Sequence, residues 1–89
     1  MSARKERSDV RTAAAKVIKD ARMLEGVSQI RLAELLGISQ PLVSAWECGK
    51  VTPGIDDVAR IERVLDTEQG SLLFAIAYPR NNPNSETQR

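Results

Sequence analysis

The thiol of Cys48 is the only sulfur nucleophile in this 89-residue sequence, which contains no histidine. A cysteine nucleophile needs a neighbouring base to take its proton, and histidine is the usual base. A single cysteine also excludes an internal disulfide and gives no metal cluster. The sequence has no phosphate-binding glycine loop and no paired carboxylates in an evident pocket. We therefore predict that the chain is not an enzyme and uses no metal, cofactor or small-molecule ligand.

Charge is unevenly distributed along the chain, although the formal net charge is only +1. Residues 1–31 contain eight basic and four acidic side chains, whereas residues 51–89 contain four basic and six acidic ones. An asymmetric domain can present a basic face to nucleic acid while its total charge stays near zero. From the charge pattern alone, the simpler interpretation is a solvated charged surface.

The length of the chain predicts one small domain with a core of leucine, isoleucine, valine and alanine. A domain of this size is marginally stable by itself, so dimerisation would help it. The sequence contains no apolar run long enough for a membrane span or for the core of a signal peptide. We therefore expect a cytoplasmic, reduced protein with no membrane partner.

The stretch 28–49, SQIRLAELLGISQPLVSAWECG, predicts a helix from Gln29 to Leu36, a tight turn and a second helix at about 40–48. Serine is a good N-cap, glycine can end a helix at positive φ, and proline is tolerated in a first turn. These signals stand at Ser28, Gly37, Ser39, Pro41 and Gly49. Two helices joined by so short a turn form the helix-turn-helix layout, which holds one helix at an angle that fits the DNA major groove.

Three further helices are predicted around this pair. The first begins at Ser8 or Asp9, runs to about residue 25 and has one apolar face, at Val10, Ala14, Val17, Ala21 and Leu24. The fourth covers about 55–65, with a buried stripe of Ile55, Val58, Ile61 and Leu65. A fifth, capped by Ser71 and ended by Pro79, covers 71–78. The fold class is therefore all-α, with a flexible basic arm at 1–8, a domain at 9–78 and a disordered tail at 79–89.

The sequence resembles the phage-repressor-like helix-turn-helix family, which includes Cro and the lambda repressor and is also called the xenobiotic-response-element family. The resemblance covers about residues 18–73 and lies in the ordered combination SQxxLAxxLGIS…VSxWExGK…P, from Ser28 to Pro53. It implies a compact five-helix, lambda-repressor-like domain whose third helix is the recognition helix. Three residues depart from the family pattern, and one of them, Leu42, is apolar where a small polar residue is commoner. Pro41 biases Gln40 away from helical backbone angles, and Glu62 stands where alanine is usual.

The resemblance assigns base reading to Gln40, because the family often reads a base edge from this position. The amide of glutamine offers a donor and an acceptor, which match N7 and N6 of adenine in the major groove. The other groove-facing positions implied by the family are Pro41, Ser44 and Ala45. Ser44 can donate or accept a hydrogen bond, whereas Pro41 and Ala45 offer apolar contact, for instance to a thymine methyl group.

The resemblance also implies phosphate contacts and one structural ion pair. The phosphate set comprises Gln29, Ser39, Lys50 and Thr52, and Gln29 can in addition brace Gln40. The backbone N–H groups at the start of the second helix bind anions whatever the side chain. Glu47 matches an acid that pairs with an arginine late in helix one, and Arg22 stands at that place. The pair would tie helix one to the recognition helix.

The fifth predicted helix carries more apolar surface than a five-helix core of this size needs. We hypothesise that it forms or supports a dimer interface through Leu72, Leu73, Phe74, Ile76 and Tyr78. The predicted function is a bacterial or phage-encoded transcriptional regulator, most simply a repressor, that binds a palindromic double-stranded operator as a homodimer. The alternative is an antitoxin or adaptor module that holds a partner protein through the fifth helix and the tail.

Overall fold

A computed structural model of the chain describes residues 2–78, and side chains from residue 10 onwards. The helices are α1 (Ser2–Leu24), α2 (Gln29–Leu36), α3 (Gln40–Glu47), α4 (Ile55–Val64) and α5 (Ser71–Ala77). No strand occurs within residues 2–78. The predicted all-α, five-helix fold is therefore confirmed, while the predicted tail at 79–89 lies outside the described residues.

The core lies where all five helices meet. α1 packs on α3 and α5, α2 packs on α3 and α4, and α4 packs on α5. The fully buried aliphatic side chains each contribute about 1.5–3 kcal/mol relative to exposure. The buried cluster contains Ala14, Ile18, Leu32, Ala33, Leu36, Val43, Trp46, Val58, Ile61, Leu65, Leu72 and Ile76.

α1 differs from its prediction in its start and in its buried face. It begins at Ser2 rather than at a cap on Ser8 or Asp9, because no proline or glycine interrupts the helix formers before these residues. Whether residues 1–8 are flexible stays a prediction. The buried face centres on Ile18, which is fully buried, whereas Val10 and Leu24 are 46% and 86% exposed.

The exposure of Val10 and Leu24 has a positional cause. Both residues lie outside the segment 13–21 of α1, in which Ala14 and Ile18 pack in the core. The predicted buried stripe of α4 is also wrong at one end, for the same reason. Ile55, its first residue, is 70% exposed, and the buried face is formed by Val58, Ile61 and Leu65.

The turn between α2 and α3 has the conformation that its glycine predicts. Gly37 adopts φ 72° and ψ 33°, and its N–H group bonds back to the carbonyls of α2. The Ser28 hydroxyl accepts a hydrogen bond from the N–H group of Arg31 at 3.0 Å and so caps α2. Ser39 occupies the N-cap position of α3, but its side chain forms no capping hydrogen bond.

Glu62 is the buried acid of α4, and it caps the start of α5. Its carboxylate accepts hydrogen bonds from the N–H groups of Gly70 at 2.8 Å, Leu72 at 2.9 Å and Leu73 at 3.2 Å. The predicted cap at Ser71 is wrong, because Gly70 is the N-cap residue and the capping oxygens come from another helix. The glutamate that departs from the family pattern therefore anchors α5 to α4.

None of the helices within residues 2–78 has the length and apolar character that crossing a bilayer requires.

Candidate nucleic-acid interface

Arg22 and Glu47 form a bidentate ion pair between the last turn of α1 and the last residue of α3. Arg22 Nε lies 2.7 Å from Glu47 Oε2, and Arg22 Nη2 lies 2.9 Å from Glu47 Oε1. The remaining Arg22 nitrogen donates to the carbonyl of Val27 at 2.7 Å. The side chains are 11% and 3% exposed. The pair therefore holds α1, α3 and the segment before α2 in one arrangement.

The environment of Glu47 keeps its carboxyl group ionised. Burial by itself raises the pKa of the Glu47 carboxyl group. The hydrogen bonds from Arg22 and Gln29, together with the charges of Arg22 and Lys19, act in the opposite direction and prevail, so the pKa lies below its usual value. The pKa of Arg22 is raised, chiefly by its hydrogen bond to Glu47. Both groups are thus charged at neutral pH.

Two glutamine side chains extend this pair towards the start of α3. Gln29 Nε2 donates to Glu47 Oε1 at 3.0 Å, and Gln40 Nε2 donates to Gln29 Oε1 at 2.7 Å. We call the chain of Arg22, Glu47, Gln29 and Gln40 the glutamine relay. Among the described residues, nothing donates a hydrogen bond to Gln40 Oε1. The relay therefore holds the Gln40 amide in place and leaves its oxygen available.

The outer face of α3 carries the other predicted base-reading residues. Gln40 is the first residue of the helix, so the following Pro41 does not displace it from the helix start. Pro41 is exposed, and Ser44 and Ala45 are partly buried. Val43 and Trp46 point into the core, and Trp46 is 2% exposed. Gln40, Pro41, Ser44 and Ala45 thus belong to the side of α3 opposite its core contacts.

The predicted phosphate-contacting residues flank this face. Gln29 is the first residue of α2, and Ser39 stands immediately before α3 with its side chain exposed. Lys50 and Thr52 are exposed in the loop after α3. Within residues 10–78, Lys50 forms no ion pair and no side-chain hydrogen bond. Of this set, only Gln29 belongs to the glutamine relay.

A family model described as helix-turn-helix matches residues 18–68, more than half of the chain. The chain belongs to the Cro/C1-type helix-turn-helix family. The family is a DNA-binding regulatory domain, so membership supports a general role as a DNA-binding regulator of transcription. Comparison with the curated proteins finds no match. The match begins at Ile18 in α1, the residue at the centre of the core, and covers the whole helix-turn-helix.

The five residues predicted for dimerisation separate into two sets. Leu72 and Ile76 are each only 7% exposed, because they pack in the core of their own chain. They are therefore not available for direct contact with a second subunit. Leu73, Phe74 and Tyr78 are 38%, 60% and 63% exposed, and the rings of Phe74 and Tyr78 lie 4.9 Å apart between centroids. Only this second set has surface to offer a partner.

An open groove of about 670 Å³ lies between α1 and the end of α3. Its lining includes Arg11, Lys16 and Lys19 from α1 and Cys48 and Gly49 from the end of α3. No cluster of residues that would hold a metal occurs in the described part of the chain. The sequence prediction missed this groove, the link from Gln29 to Glu47, and the role of Glu62. The basic residues spaced along α1 were the available sequence signal for the groove. The link from Gln29 to Glu47 and the capping role of Glu62 depend on contacts between helices, which the sequence does not show.

Proposed function

We propose that the chain is a sequence-specific double-stranded DNA-binding repressor that inserts α3 into the major groove. The observation that carries this proposal is the 2.7 Å hydrogen bond from Gln40 to Gln29, which holds a groove-facing amide in a defined orientation. A pre-oriented side chain loses less conformational entropy on binding than a mobile one. Family membership supports DNA binding, and the glutamine relay supports sequence-specific reading.

The side chains on the outer face of α3 would contact the bases. The Gln40 amide can bind an adenine edge through one donor and one acceptor. Ser44 can exchange either kind of hydrogen bond with a neighbouring base, and Pro41 and Ala45 can contact a thymine methyl group. Because the core anchors Val43 and Trp46, α3 enters the groove as a rigid element.

Phosphate contacts on both sides of the DNA major groove fix the position of α3 along the duplex. The free N–H groups at the start of α2, together with Gln29, suit one phosphate because a helix N-terminus carries partial positive charge. Ser39, Lys50 and Thr52 are exposed around α3 and can bind further phosphates. These contacts carry no sequence information, but they position the side chains that do.

A homodimer on a palindromic operator accounts best for the exposed end of α5. Leu73, Phe74 and Tyr78 would meet the same residues of a second subunit, while Leu72 and Ile76 support them from inside. Two-fold symmetry then requires half-sites about 34–36 Å apart. Occupation of an operator that overlaps a promoter represses transcription by exclusion. The corresponding setting is the cytoplasm, with a bacterial or phage-borne gene.

In vitro selection of bound DNA from a random pool tests this function. We expect a palindromic consensus, and binding of two chains per duplex. Gln40→Ala should then weaken binding to the consensus site by about 1–3 kcal/mol and relax the choice at one base pair per half-site. An equal loss on random DNA would show that Gln40 does not read a base. The absence of any consensus would refute sequence-specific binding.

The second candidate is an antitoxin or adaptor that holds a different protein. The exposed Phe74 and Tyr78 rings favour it, because they suit any apolar partner. Mass measurement by light scattering distinguishes the two functions. A dimer that dissociates when Phe74 is replaced by serine supports homodimerisation, whereas a monomer at high micromolar concentration leaves this surface for another protein.

A further inference from the structure

Glu62 holds both the connection after α4 and the helix that follows it. Its backbone carbonyl accepts a hydrogen bond from the N–H group of Thr67 at 3.0 Å. Its carboxylate accepts hydrogen bonds from the N–H groups of Gly70, Leu72 and Leu73. We call this carboxylate and its three donors the Glu62 cap. One side chain of α4, only 5% exposed, thus fixes the first turn of α5.

The apolar attachment of α5 is limited to a few side chains. α5 has seven residues, too few to stay helical alone, and only Leu72 and Ile76 among them are buried. α5 packs mainly on α1 and α4, whereas α2 and α3 are held by contacts with each other, with α4 and with α1. The family match ends at residue 68, before α5 begins. α5 can therefore separate from the domain without breaking contacts between α2 and α3.

The surface proposed for dimerisation exists only while α5 is helical and docked. Phe74 and Tyr78 are one helical turn apart, and the N–H group of Tyr78 bonds to the carbonyl of Phe74 at 2.8 Å. This turn brings their rings to 4.9 Å between centroids. An undocked α5 would also lose the support that Leu72 and Ile76 give from inside. Docking of α5 and formation of the dimer surface are therefore linked equilibria.

We infer that α5 opens and closes as one unit, that the Glu62 cap holds it closed, and that only the closed form dimerises. Local opening of a short, weakly attached element is a general property of proteins. Glu62 is then a positioning residue for the dimer, since it is buried inside its own subunit. The inference rests on the proposed function, in which α5 contacts a second subunit. It adds a control point, because opening of α5 lowers occupancy of a palindromic operator without changing α3.

Amide hydrogen exchange in dilute, monomeric protein tests the opening of α5. The reporters are the N–H groups of Phe74 and Tyr78, because their own acceptors, the carbonyls of Gly70 and Phe74, remain when Glu62 is replaced. In Glu62→Ala both should exchange about 30- to 150-fold faster, the factor that corresponds to loss of the cap's hydrogen bonds. We expect the open form of α5 to predominate in this variant.

Two comparisons separate the opening of α5 from general unfolding. The N–H groups of Leu32 and Ile38 bond to carbonyls within the helix-turn-helix, so their exchange should change far less in Glu62→Ala. Glu68→Ala is the matched control, because it removes an exposed acid from the same connection and should leave every reporter unchanged. Glu62→Gln retains one acceptor oxygen, so its exchange rates should lie between those of the wild type and Glu62→Ala.

Light scattering over a range of protein concentrations measures the effect on the dimer. A dimer needs two closed helices, so its dissociation constant should rise as the inverse square of the closed fraction. A closed fraction of about one third gives about a tenfold rise. Binding of Glu62→Ala to a duplex with one half-site should equal that of the wild type, while binding to the palindromic site should weaken.

Several results would overturn the inference. If only the N–H groups of Gly70, Leu72 and Leu73 exchanged faster, or if the closed form still predominated in Glu62→Ala, the cap would not hold α5 as a unit. Uniformly faster exchange would show that Glu62 supports the whole fold. A dissociation constant that does not follow the closed fraction would separate α5 from the dimer. A wild-type monomer at high micromolar concentration would refute the proposed homodimer and its control by α5, whereas the exchange at Phe74 and Tyr78 separately decides whether α5 opens as a unit.

Discussion

Replacement of Glu62 by alanine removes all the side-chain oxygens that cap α5. The three N–H groups that lose their acceptor belong to Gly70, Leu72 and Leu73. The hydrogen bond to Leu72 is buried, so its N–H group gains no water, whereas the other two lie in partly buried positions that water can reach. The seven residues of α5 are too few to form a stable helix by themselves. We therefore expect α5 to loosen in this variant.

The size of the effect follows from these three contacts. A buried donor without a partner costs about 1–3 kcal/mol, and each water-accessible hydrogen bond contributes about 0.5–1 kcal/mol. The sum is about 2–5 kcal/mol. Alanine also removes a buried negative charge whose desolvation is unfavourable, so we expect the lower part of this range, about 2–3 kcal/mol. A chain of this length has roughly 4–13 kcal/mol of total stability, so the loss is large.

Urea unfolding followed by circular dichroism and by the fluorescence of the buried Trp46 measures this change. Glu68→Ala is the matched control, because Glu68 is an exposed acid in the same connection and forms no side-chain hydrogen bond within residues 10–78. Glu62→Gln should fall between the wild type and Glu62→Ala, since its amide retains only one acceptor oxygen. If Glu62→Ala lost no more stability than Glu68→Ala, the assignment of Glu62 as the cap of α5 would be wrong.

Three further predictions concern the interface, the ion pair and the dimer. Lys50→Ala should weaken binding to every DNA sequence and lower the salt slope by about one unit, and an unchanged slope would remove Lys50 from the phosphate contacts. Because the folded-state pKa of Glu47 is depressed, its contribution to stability is present above the usual glutamate value of about 4.3 and is lost as the pH falls through the folded-state pKa. Urea unfolding measured from pH 7 down to about pH 3 should therefore show that the stability advantage of the wild type over Glu47→Gln disappears. A stability advantage that stayed constant over this range would contradict a depressed pKa for Glu47. Phe74→Ser should convert a dimer to a monomer at micromolar concentration while leaving the melting temperature of the monomer nearly unchanged, as measured by light scattering and calorimetry, since the Phe74 side chain is mostly exposed.

The order and type of the helices were predictable because their signals are local. Ser28 caps α2 through a hydrogen bond only three residues away, and Gly37 ends α2 because its own φ is positive. Val43 and Trp46 are three residues apart, so one helical face buries both. The family resemblance then predicted which side of α3 would face the DNA major groove. These features need no knowledge of how distant segments pack.

The remaining features were not predictable because they depend on which helix lies beside which. Val10, Leu24 and Ile55 fit their apolar patterns, but in the fold they are 46%, 86% and 70% exposed. Glu62 is a glutamate in a helix, and nothing in its own surroundings in the sequence indicates that Gly70 approaches it. In the site, the motif identified Gln29 and Gln40, yet the direction of their hydrogen bond depends on the carboxylate that α3 brings to them.

Under the proposed function, the glutamine relay also limits which positions of α3 can change when the bound DNA sequence changes. Gln40 is linked through Gln29 to the Arg22–Glu47 ion pair, so a substitution at Gln40 disturbs this pair as well as the proposed base contact. The side chains of Pro41, Ser44 and Ala45 form no hydrogen bonds with the described part of the chain. New DNA preferences should therefore arise first at these three positions, with one anchored base contact retained while its neighbours are exchanged.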